Sequence, residues 1–207
     1  MRAKMLLALA ILVAAPAQAG RALKVVQPLP QDVLSANHVV AINVEIGEVA
    51  RPVVTALDAK AAGKRAEAKL PPLDDTSSHP APESYATLPL ARMLPLVIDD
   101  KSKDWGLTGG RSVKLNISVD TLKTADAGMA ILVGSADELA GIVTVSDADS
   151  GERLGEFYVD VLNYRAGLLG LALRGDGVRE KLADEFAKHV CEQLSGRKSK
   201  SGAVKKS

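Results

Sequence analysis

Few residues in this chain are placed to do chemistry. Its 207 residues include three histidines, His38, His79 and His189, and a single cysteine, Cys191. A metal centre draws its ligands from close pairs or clusters, and no histidine here has a His or Cys neighbour at such spacing. The nucleophile elbow G-x-S-x-G, the zinc motif H-E-x-x-H, the Walker loop and the dinucleotide fingerprint are all missing. Asp147-Ala148-Asp149-Ser150-Gly151-Glu152 alternates carboxylates as a calcium loop does. Gly151 falls on a ligand position and the distal Glu is missing, so a hairpin turn is the better reading. Cys191 has no disulfide partner within the chain and sits in a predicted helix, where a thiol behaves as a small buried apolar group. The expectation is therefore no catalytic residue, no metal, no cofactor and no enzyme activity.

Two short spellings carry little weight. Arg174-Gly175-Asp176 matches an adhesion tripeptide but opens a helix, where Asp176 is a natural cap. Asn116-Ile117-Ser118 spells a glycosylation sequon within a predicted strand. Two segments are better suited to binding. Gly167, Leu168, Leu169, Gly170 and Leu171 open the apolar run GLLGLAL, a contact segment if exposed and a cover for the sheet edge if not. Arg197, Lys198, Lys200, Lys205 and Lys206 form a basic tail able to touch an anionic surface.

Stepping outward from these residues, the N-terminus carries a secretory signal. Arg2 and Lys4 precede the apolar run Met5 to Ala15, and Ala17-Gln18-Ala19 forms an A-x-A site that places cleavage between Ala19 and Gly20. The run is too short for a spanning helix. The chain is expected to be exported to the periplasm. Lysine and arginine number 26 against 25 aspartates and glutamates, a formal charge of +1. That balance argues against a nucleic-acid reader. It also conceals an asymmetry. Between Gly20 and Gly196 there are 19 bases and 25 acids, whereas the tail from Arg197 has five bases and no acid. Six aromatic residues are too few for a stacking site.

The elements that must position these residues follow from periodicity. Residues 39–46 alternate, with Val40, Ile42, Val44 and Ile46 on one face. Pro52 to Ala68 reads as a helix with a thin apolar stripe. Residues 70–86 read as a Pro-rich loop. Leu88 to Lys103 is a second helix, with Thr87 available as cap and Pro95 expected to kink or restart it. Strands are expected at 113–121, 138–147 and 153–164, the last two joined by a turn centred on Ser150-Gly151. Asp176 to Ser195 closes the chain as an amphipathic helix stopped by Gly196. The expected organisation is a signal at 1–19, an extended lead-in at 20–38, one domain at 39–196 and a disordered tail at 197–207. The fold class is α+β: a two-layer sandwich with a mixed or antiparallel four-stranded sheet and helices on one face.

From residue 111 onward the pattern VKLNISVDTL, then GIVTVSDADSGERLGEFYVDV, then REKLADEFAKHVCEQL resembles a class of uncharacterised proteobacterial envelope proteins, many of them lipoproteins. The resemblance covers about 85 residues of pattern and turn, with a looser match from Val39. It implies a domain of unknown function used as an interaction module by envelope assemblies. The lipidation cysteine of the lipoprotein members is missing here. The expected role is a non-enzymatic periplasmic module that binds an envelope protein, with peripheral membrane contact through the tail or the Gly-Leu segment. The alternative is a carrier of a small apolar or lipid ligand that assists an envelope transporter.

Overall fold

The computed structural model describes residues 23–71, 73, 80, 82–124, 136–164 and 177–198. Its elements run β1 (Leu23–Gln27), α1 (Gln31–Ser35), β2 (Asn37–Ile46), α2 (Arg51–Glu67), a 3₁₀ turn (Pro82–Thr87), α3 (Leu90–Asp104), β3 (Arg111–Lys123), β4 (Ala136–Asp147), β5 (Arg153–Tyr164) and α4 (Val178–Ser195). The fold is α+β, with helices packed on a mixed sheet in the order β1-β5-β4-β3-β2. β3, β4 and β5 form an antiparallel meander. β2 runs parallel to β3, which requires a crossover, and α2 and α3 supply it.

The sheet has five strands where four were expected. The fifth is β1, from the stretch read as an extended lead-in. Leu23, Lys24 and Val25 pair antiparallel with Val159, Tyr158 and Phe157. α1 follows with Val33 fully buried, so this stretch belongs to the packed body. The signal segment 1–19, the cleavage pair Ala19 and Gly20, and His79 lie outside the described residues.

The core forms where alternating strand residues meet the helix stripes. Val113, Leu115, Ile117 and Val119 of β3, Val143 and Val145 of β4, and Phe157 and Val159 of β5 are buried. Against them lie Met93, Leu94 and Ile98 of α3 and Leu182, Phe186, Val190 and Leu194 of α4. Val40 departs from its expected face. The β2–β3 register slips between Val39 and Ala41, and Val40 is left 49% exposed. The extra residue of a bulge shifts the phase, so Val39 packs against the core in place of Val40, while Ile42, Val44 and Ile46 pack there as expected.

Two helix starts also differ from expectation. Pro89, not Thr87, occupies the N-cap of α3, and no side chain of its own caps it. The Thr87 hydroxyl instead donates to the Ser84 carbonyl at 2.7 Å. Pro95 does not restart the helix, since Leu90 to Asp104 is one continuous element. α4 begins with Gly177 at its N-cap, and Asp176 lies outside the described residues.

Candidate functional site

The residues with chemistry in them are mostly used for structure. At the β4–β5 turn Asp147 Oδ1 accepts from the backbone N–H of Asp149 (3.0 Å) and Ser150 (2.7 Å) and from the Ser150 hydroxyl (2.9 Å). Its Oδ2 accepts from Arg111 Nε at 2.7 Å. Both oxygens are thus committed to protein donors, and the run 147–152 is a turn. Gly151 takes the left-handed φ of +74° that the turn needs. The Ser150 N–H and then the Arg111 guanidinium hold the Asp147 carboxyl well below the usual carboxylate range. Arg111 also reaches Asp32 of α1 at 3.0 Å, tying α1 to the turn.

His38 and His189 have separate partners. His38 Nε2 lies 3.2 Å from the Ser112 hydroxyl on the neighbouring strand, and His189 Nδ1 lies 2.8 Å from Glu192 one turn along α4. Among the described residues no group of three or more His, Cys, Asp or Glu is placed to hold a metal ion. Cys191 is fully buried, 3.7 Å from the Ser102 hydroxyl, and burial pushes its thiol up to about 11. Asn116 is exposed on the sheet face opposite the buried Leu115 and Ile117, where its side-chain oxygen accepts from Asn43 Nδ2 at 3.0 Å.

Sequence reasoning missed a buried hub. Asp58 of α2 accepts from the Leu90 N–H at 2.9 Å and so caps α3 from a neighbouring helix. The same oxygen accepts from Arg179 Nη1 at 3.1 Å, and Arg179 Nη2 donates to the Ala86 carbonyl at 3.1 Å. Arg179 is only 6% exposed. One carboxylate thereby links α2, α3 and α4. The available signal was a charge on an apolar stripe: Asp58 falls four residues after Val54 and three before Ala61, both buried.

The surface feature best suited to binding lies beside α4. β1 pairs with β5 between Glu156 and Val159, and β5 runs on to Tyr164. Between this stretch and the N-terminal half of α4 opens a groove of about 910 Å³. Val161 and Leu182 form apolar floor, and both are buried. Among the described residues that line it, Asp160, Glu180, Asp184 and Glu185 are carboxylates and Lys181 is a lysine. Glu180 pairs with Arg179 at 3.3 Å, Asp184 with Lys101, and Glu185 with Lys188 at 2.9 Å.

The two segments expected to make contact are placed only in part. Gly167, Leu168, Leu169, Gly170 and Leu171 lie outside the described residues, as do Arg174-Gly175-Asp176. Of the tail, Lys200, Lys205 and Lys206 also lie outside. Arg197 is engaged: its guanidinium sits 5.7 Å above the Trp105 ring and donates to the Trp105 carbonyl. The tail's remaining charge therefore starts at Lys198. No described helix is long and apolar enough to cross a membrane.

No protein-family model matches the chain, and no curated protein matches it. Solved structures do. A PelC dodecamer from Paraburkholderia phytofirmans aligns over 86% of this chain and 98% of its own, at 8% identity and a TM-score of 0.43. A Xanthomonas campestris protein assigned to DUF330 aligns over 82% and 91%, at 13% identity and a TM-score of 0.46. Lipoprotein GNA1162 from Neisseria meningitidis aligns over 76% and 99%, at 13% identity and a TM-score of 0.28.

Proposed function

We propose that this chain is an exported, periplasmic domain that works by binding a protein of the cell envelope rather than by catalysis. The observation that carries the reading is the groove between β5 and α4. Its charged rim, set over Val161 and Leu182 that are already packed into the core, gives orientation and selectivity toward a partner. Behind it the sheet, α3 and α4 pack as one buried cluster, so contact falls to the surface. The N-terminal signal pattern supports export, and the basic tail supports a further contact with an anionic surface.

The volume of the groove also favours a second reading, the carrier of a small apolar or lipid ligand, since about 910 Å³ falls in the range of small-molecule sites. Photocrosslinking in intact Gram-negative cells separates the two. A photoreactive residue at Lys181 or Glu185 is expected to capture a protein, while one at Ala59 on exposed α2 captures none. Capture of lipid from the groove positions would select the carrier. Fractionation is expected to find the chain in the periplasm without residues 1–19, and a cytoplasmic chain that keeps them would sink the export reading.

A further inference from the structure

β2 is the last strand on its side of the sheet, in the order β1-β5-β4-β3-β2. Among the described residues its outer edge carries a single bridge, between His38 and Thr108. Natural edges are blunted by lysine, by proline or by being short. The stretch from Val39 to Ile46 holds neither lysine nor proline, and β2 runs for 10 residues. The bulge at Val40 interrupts it once, and from Ala41 to Ile46 it is regular against β3. An edge of this kind pairs with a strand that matches its faces and its charges.

β2 matches itself. In antiparallel pairing about a two-fold axis at Asn43, Ile42 falls opposite Val44 of a second copy and Ala41 opposite its Glu45. Beyond the bulge Val39 meets Ile46. Every pair then joins residues of one face: Val39, Ile42, Val44 and Ile46 on the core side, Ala41, Asn43 and Glu45 on the other. The ladder stops at Val39, one residue short of the edge that Thr108 holds. Charge agrees with this register. Ala41 lies beside Lys114 of β3. Lys114 and Glu45 are both exposed, and among the described residues neither has an ion-pair partner. Neighbouring strands are about 4.8 Å apart, so Glu45 of the second copy stands about 10 Å from Lys114 across the small Ala41, within reach of the two side chains. Symmetry makes this pair twice. Val40 and Val49, 49% and 79% exposed, flank the edge at its two ends. Antiparallel pairing brings the Val40 end of one copy to the Val49 end of the other.

We propose that two copies of this chain join edge to edge through β2, antiparallel about a two-fold axis at Asn43, so that one sheet continues across both. The groove beside α4 takes no part in this contact. Pairing of copies and capture of an envelope protein therefore fail separately.

Sedimentation equilibrium of the purified chain is expected to show a concentration-dependent dimer. Asn43→Cys, on the axis, is expected to form a disulfide between copies under mild oxidation, since opposed Cα atoms of an antiparallel pair lie about 4.5–5.5 Å apart. Glu45→Cys, also exposed, is expected not to, because in this register the two positions are about 13 Å apart. Cys191 is buried and stays out of the reaction. Glu45→Lys is expected to weaken the dimer roughly tenfold, and adding Lys114→Glu to restore it to within about threefold, as an exchanged ion pair requires. The circular-dichroism melt of each variant is expected to match the parent's, so that a lost dimer is not a lost fold. A chain that stays monomeric up to about 100 μM would overturn the proposal. So would a disulfide that forms as readily at Glu45→Cys as at Asn43→Cys, or a dimer unmoved by Glu45→Lys.

Discussion

The two sides of α4 obey different rules. Its inner side, Leu182, Ala183, Phe186, Ala187, Val190, Cys191 and Leu194, is fully or almost fully buried against the sheet and α3. There volume and shape decide which residue is tolerated. The outer side presents Lys181, Asp184 and Glu185 to the groove, with exposed or part-exposed ion pairs that add little stability. Residues one position apart, Glu185 and Phe186, thus belong to separate problems, binding and folding. A helix read only as an amphipathic stripe contains both, but only the inner side explains why it exists.

Substitutions on either side sharpen that contrast. Phe186→Ala opens a cavity in the core and is expected to lose about 3–5 kcal/mol of stability. Urea denaturation measures it, and a loss near that of a surface change would break the comparison. Asp58→Ala is the next largest. It removes the cap of α3 and leaves the buried Arg179 guanidinium short of its carboxylate, for an expected loss of about 2–3 kcal/mol. Asp58→Asn keeps an oxygen for the Leu90 N–H and is expected to lose less, which separates cap from charge.

Acid has a smaller, graded effect through Asp147. Its carboxyl is held below the usual range in the folded chain, so the folded state favours the ionised form. That contribution is fully present above the unfolded carboxyl pKa, about 3.9, and is lost as pH falls below it through the lowered folded value. Asp147→Asn is expected to flatten this acid limb in thermal melts taken from pH 5 downward. An unchanged limb would mean that the turn does not depend on the charge. The smallest effect belongs to Glu185→Lys, expected to stay within about 0.5 kcal/mol in the same urea titration that reads Phe186→Ala. A larger loss would mean that the outer side of α4 is structural after all.

The meander was legible because β3, β4 and β5 alternate with period two, and the observed strands extend the expected ones by only a few residues. α4 was legible for the same reason at period four, with Gly196 as its stop. β1 was not. Its LKVVQ lies beside two prolines, and nothing local distinguishes an edge strand from an extended tail when its partner is far away in sequence. Val40 was misplaced because a bulge shifts phase without changing composition. Thr87 looked like a cap because capping is usually local, whereas the cap of α3 comes from Asp58, 32 residues earlier. The groove was invisible in the sequence. It forms between β5 and the N-terminal half of α4, two elements whose approach no local sequence pattern records. Only its charges were in view, hidden in the opposed balances of body and tail.

The central claim is that the outer flank of α4 is where this chain meets its partner. Position-resolved photocrosslinking in intact cells tests it most directly, with the reactive residue placed in turn at Lys181, Glu185, Ala59 and Asn116. The account predicts an envelope-protein adduct from Lys181 and Glu185 and none from Ala59 on α2 or the exposed Asn116 on β3. Equal adducts from all four positions, or adducts confined to Ala59 and Asn116, would contradict it.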